Sequence, residues 1–108
     1  MRKIPIWLIY EMQEDPFYKR CCMTGATNVK IEWHHNLIFA GRQVNEKWCI
    51  LPLSKEMHDM VHLPYNKSYC DWVMLNRATH EELKRYSKAI DLIKRRDYLN
   101  TVHGKYQN

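Results

Sequence analysis

Val29-Lys30-Ile31-Glu32-Trp33-His34-His35 alternates as a half-buried strand does and ends in two adjacent histidines. Val29, Ile31, Trp33 and His35 share one face, and Lys30, Glu32 and His34 share the other. Asn36 to Lys47 follows as a polar loop with Gly41, Arg42, Gln43 and Asn45, of the kind that holds a site. Trp48 to Leu53 is apolar and β-prone, and reads as a second strand pairing back on the first. Ser54 then has the place of an N-cap, with Glu56 suited to the positive end of the helix dipole. A helix is predicted from Lys55 to Leu63, stopped by Pro64; its His58 and His62, four apart, share one face.

Outward from this centre, the apolar run Ile4–Tyr10 reads as a strand or extended arm, followed by an acidic connector, Glu11 to Asp15. Pro5 interrupts the run and no small-residue cleavage site follows, so it is not read as a signal peptide. Beyond the centre, Asn66 is placed to cap a helix from Lys67 to Arg77. Thr79-His80-Glu81-Glu82 has the capping-box pattern and opens a helix to about Leu99, with Leu83, Tyr86, Ile90 and Ile93 at helical spacing. Asn100 to Asn108 reads as a frayed tail. The expectation is one α+β domain over residues 1–108: a small ββα core about 21–63, an N-terminal arm or strand, and C-terminal helices about 66–99.

Seventeen Lys and Arg against twelve Asp and Glu give a formal charge of +5, which favours a polyanionic partner such as nucleic acid. Between residues 80 and 106, seven Lys and Arg, Lys88 among them, stand against four acids, a balance suited to a phosphate backbone. A solvated helix face is the competing reading. No stretch of 18 apolar residues occurs, so neither a membrane span nor a membrane partner is expected. Cys21, Cys22, Cys49 and Cys70 lack the C-x-x-C spacing of a zinc knuckle, and without a secretory signal they are expected as reduced, partly buried thiols.

A strand, a loop and a helix that bring His34, His58 and His62 together, with His35 beside them, would make a small hydrolytic metal site. In their order, Cys21-x-x-Thr24-Gly25, Glu32-Trp33-His34-His35, the Gly41-Arg42 loop, Ile50-Leu51-Pro52-Leu53 and His58-x-x-x-His62 resemble the HNH nucleases, whose fold is the ββα-metal arrangement. The likeness is to HNH proteins of phage origin and, in the three-histidine metal set, to the nuclease domains of colicins. It covers about 40 of the 108 residues.

The resemblance implies a metal-dependent DNA endonuclease in the cytoplasm of a bacterial or phage-infected host cell. His34, His58 and His62 would hold one divalent metal, and His35 would be the general base. Three imidazoles suit zinc, nickel or manganese better than magnesium. The family's middle Asn falls at Cys49, nine residues before His58; Asn45 is the alternative orienting group if the loop register differs. Only Cys21 survives of the four thiols that hold a structural zinc in many members, so no such zinc is expected.

Arg42 and Lys47 lie in the loop expected to overhang the site, where a scissile phosphate needs cations. Glu32 shares a strand face with His34 and reads either as a support to the metal ligands or as a solvent-facing carboxylate. Trp33 and Trp48 read as core, and His80 and His103 as surface histidines. The rival function is a non-catalytic nucleic-acid-binding protein with a structural metal, for which Glu32 or Cys49 would close the site as a fourth ligand. A second rival is an interaction protein with scattered histidines.

Overall fold

The computed structural model describes residues 3–86 and 89–107, so Lys88 lies outside the described residues. The chain is an α+β fold with the order α1 (Ile6–Glu14), β1 (Ile31–His35), β2 (Ile38–Phe39), β3 (Arg42–Gln43), β4 (Ile50–Ser54), α2 (Lys55–Asp59), α3 (Pro64–Arg77), α4 (His80–Lys84) and α5 (Ala89–His103). β1 and β4 pair antiparallel, with Ile31 opposite Ser54 and His35 opposite Ile50. The loop between them folds into a short hairpin of β2 and β3.

The expected N-terminal arm or strand is instead helix α1. The apolar run is too short for its period to decide between strand and helix, and packing decides. Leu8 and Met12, one helical turn apart, are fully buried against Tyr18 and Ile50. Four of the five residues of the acidic connector, Glu11 to Glu14, are thereby drawn into the helix. Asp15 ends it, and its carboxylate accepts from the Phe17 amide at 2.9 Å to open a short 3-10 turn. The Tyr18 hydroxyl donates to the carbonyls of Ile50 and Lys47, fixing this layer to the start of β4.

Ser54 caps α2 as expected, its Oγ accepting from the Met57 amide at 3.3 Å. The helix is shorter than expected: it ends at Asp59, and two turns carry the chain to Leu63. Pro64 fixes where those turns stop. A residue before proline is driven from helical to extended geometry, and Leu63 has φ −65° and ψ 141°. Pro64 therefore opens α3, where its missing N–H has no cost. Asn66 does not cap this helix; its Nδ2 donates back to the Met60 carbonyl at 3.0 Å.

α3 supplies five of the twelve buried residues of the main core. Cys70, Trp72, Val73, Met74 and Leu75 pack with Leu51 and Leu53 of β4, Trp48, Cys21, Leu83 and Leu99. The capping box at Thr79 and Glu82 forms with both bonds. It opens only α4, and the long helix expected from there is two, with α5 beginning at Ala89. Ile90, expected on the apolar face, is 70% exposed. The tail is docked rather than frayed: α5 continues to His103, Trp72 Nε1 donates to the Gly104 carbonyl, and Tyr106 packs edge-on against Trp72. His103 is no free surface histidine, since Ser68 Oγ lies 2.8 Å from its Nε2 among the rings of Tyr65, Tyr69 and Trp72. All four cysteines are free thiols, and Cys21, Cys49 and Cys70 are buried. Among the described residues, no helix is long and apolar enough to cross a membrane.

Candidate functional site

The pleat of β1 sends its histidines to opposite faces. Glu32 and His34 lie on the side covered by α2, where the His34 and His58 rings meet edge to face with centroids 5.2 Å apart. His58 Nδ1 stands 2.8 Å from Glu32 Oε1. His35, only 7% exposed, reaches the hairpin side, where its Nε2 stands 2.7 Å from Asn45 Oδ1. A cavity of about 520 Å³ opens beside them, lined by His34, His35, His62, Lys67, Asp71 and Arg95 together with apolar side chains.

Hydrogen-bond partners set the tautomer of each neutral imidazole. Asn45 Nδ2 donates to the Lys3 carbonyl at 2.9 Å, so its Oδ1 is the atom that faces His35. An amide oxygen only accepts, so the His35 proton sits on Nε2 and Nδ1 keeps the lone pair. Asn36 is oriented in the same way: Nδ2 donates to Asp71 Oδ1 at 2.9 Å, and Oδ1 lies 3.1 Å from His34 Nε2. His34 thus keeps its lone pair on Nδ1. Glu32 accepts from His58 Nδ1–H, leaving the lone pair on Nε2. Among the described residues, none of these three lone-pair nitrogens has a hydrogen-bond partner. Burial, aided by neighbouring His58 and Lys67, pushes the His34 pKa down to about 4 against the opposing hydrogen bond to Asn36, so the ring is neutral at pH 7.

His34 and His58 present the donor chemistry that a divalent transition metal takes, an imidazole nitrogen with an oxygen braced against the other ring nitrogen. The structure pairs His34 with His58 and brings His62 to the shared cavity from the exposed turn after α2. Among the described residues, no three His, Cys, Asp or Glu side chains are gathered into a ready ligand group.

No family model, curated protein or solved structure matches this chain.

Of the two orienting groups considered from sequence, Asn45 is the one on His35. The Cys49 side chain is fully buried in the core, and burial pushes its thiol pKa up. Its backbone still serves the site, because the Cys49 carbonyl accepts from the Asn36 amide at 2.8 Å. Glu32 is held by His58 rather than facing solvent alone. Arg42 is exposed on β3 and does not line the cavity. Lys47 does not line the cavity either: its ammonium pairs with Asp15 at 2.9 Å, on the α1 side of the molecule. The cations beside the histidines are Lys67 and Arg95. Arg95 belongs to the basic stretch 80–106 that the sequence offers to a phosphate backbone, whereas Lys67, Asn36 and Asp71 carry no site reading from sequence. A signal existed: Asp71 interrupts the apolar run Tyr69 to Leu75 and stands four residues after Lys67, which marks a buried, paired carboxylate.

Proposed function

We propose that this chain is a metal-dependent DNA endonuclease that hydrolyses phosphodiester bonds by in-line attack of water. The observation that carries this reading is His35, buried at the cavity wall with Nε2–H on Asn45 and a lone pair on Nδ1. That is the arrangement a general base needs: one nitrogen fixed in direction, the other with a lone pair to accept a proton. His34 and His58, with His62 from the turn, would hold one zinc, nickel or manganese ion, or magnesium in their place. Such an ion, when bound, supplies positive charge to the phosphoryl oxygens and the leaving 3′ oxygen. His34 presents Nδ1 and His58 presents Nε2, each braced from behind by Asn36 and Glu32. His35 Nδ1 accepts the proton of the attacking water, and the products carry 5′-phosphate and 3′-hydroxyl ends.

The test is nicking of supercoiled plasmid by chelated protein after each metal is restored, beside His35→Ala. Loss of a positioned base should lower the rate about 10²- to 10⁴-fold, with metal and DNA binding kept. Native-rate cutting by His35→Ala rejects the base assignment. Retarded plasmid that is never cut in any metal favours the non-catalytic nucleic-acid-binding reading.

A further inference from the structure

The cavity beside the histidines holds two cations that the chemistry above does not use, Lys67 of α3 and Arg95 of α5. Both are fastened to one carboxylate. Lys67 Nζ lies 2.6 Å from Asp71 Oδ1, and Arg95 Nε and Nη2 lie 3.2 and 3.0 Å from Oδ2. The Asp71 side chain is only 10% exposed, whereas those of Lys67 and Arg95 are 49% and 44% exposed.

A single buried carboxylate is balanced by one cation. The second leaves a full positive charge at the mouth of the cavity. Nothing beside it cancels that charge, because Asp71 is the sole acid among the described residues that line the cavity. Hydrogen-bonding capacity is left over as well. Among the described residues, Arg95 Nη1 has no partner and Lys67 Nζ has only Asp71. Asp71 also fixes the position of the pair relative to the chemistry, since its Oδ1 accepts from Asn36, the residue that orients His34. Two anchored, half-exposed cations with spare donors and one excess charge match a phosphate group.

We propose that Lys67 and Arg95 form a phosphate cradle that takes a backbone phosphodiester of DNA beside the bond to be cut. The choice of DNA rests on the nuclease reading. The cradle itself rests on the charge and geometry around Asp71. It gives α3 and α5 a direct part in substrate binding, which the exposed Arg42 and the Asp15-bound Lys47 do not supply.

The experiment is binding of a short DNA duplex over a range of salt, in a His35→Ala background so that the DNA stays intact. Lys67→Gln and Arg95→Gln are compared with Lys94→Gln, an exposed cation of the same helix that does not line the cavity. Each cradle variant should lower the slope of log K against log salt by about 0.9, which makes binding about eightfold weaker at 0.1 M relative to 1 M salt. Lys94→Gln should change neither. Arg95→Lys keeps the charge and the partner of Asp71, so it should restore the slope; a purely structural role for Arg95 would not return it with charge alone. Parental slopes in both glutamine variants, or an equal loss in Lys94→Gln, overturn the cradle. A wild-type chain that cuts DNA while the cradle variants keep parental slopes sinks the cradle alone. One that binds with the cradle-dependent slope but cuts in no metal sinks the nuclease reading alone.

Discussion

β1, β4 and α2 are five residues each, whereas α3 and α5 run to 14 and 15. The short pieces carry Glu32, His34, His35 and His58; the long helices carry much of the core and the buried carboxylate Asp71. Five-residue helices and two-stranded sheets do not persist alone in water. The imidazoles are therefore held in place by residues elsewhere: Leu51 and Leu53 packed on α3, Asn36 tied to Asp71, and Asn45 tied to the Lys3 carbonyl. In this molecule the groups that would do chemistry and the groups that stabilise their geometry lie on different elements.

The hardest blow to that division is a truncation in the helical half. Leu75, on α3 and 1% exposed, should cost about 2–5 kcal/mol when changed to Ala, read from urea unfolding. A loss near zero would mean that the core does not depend on α3. A smaller effect is expected at the join between the halves. Asn45→Ala should leave unfolding near its native midpoint yet slow cleavage about 10- to 100-fold by freeing the His35 ring. Unchanged cleavage would show that the base is oriented by another group.

The smallest effect concerns the layer under α1. Burial opposes ionisation of Asp15, but hydrogen bonds from Lys47 and the Phe17 amide, with the charges of Lys47 and Arg77, outweigh it and hold the carboxyl below its ordinary 3.8. A carboxyl depressed on folding stabilises above the unfolded pKa and loses that contribution as pH falls through the folded value. Asp15→Asn should therefore flatten the fall in melting temperature below about pH 4, ordinary carboxyls titrating near that point, and leave its shape near neutrality unchanged. An acid limb as steep as the parent's would assign the acid sensitivity to other carboxyls.

Much of the ββα unit was legible in the sequence because its signals are local. Alternation across Ile31 to His35 predicts the strand, Ser54 predicts the cap, and the Thr79–Glu82 box predicts the start of α4. The misreadings share one cause. The run Ile4–Tyr10 suits either a strand or a helix until Ile50 and Tyr18 bury Leu8 and Met12. Arg42 and Lys47 follow the same rule: loop cations face solvent or the nearest carboxylate, and only the fold shows that Lys47 meets Asp15.

The sequence by itself determined which residue types could do chemistry here, and that His34 and His35 must face opposite ways, because side-chain direction in a strand is a local property of the backbone. Only the tertiary structure decided what those imidazoles meet. Asn45 lies ten residues beyond His35, and Asp71 thirty-five beyond Asn36. Such pairings follow from how elements pack across the core, where many small, non-directional apolar contacts choose the neighbours that local sequence cannot name.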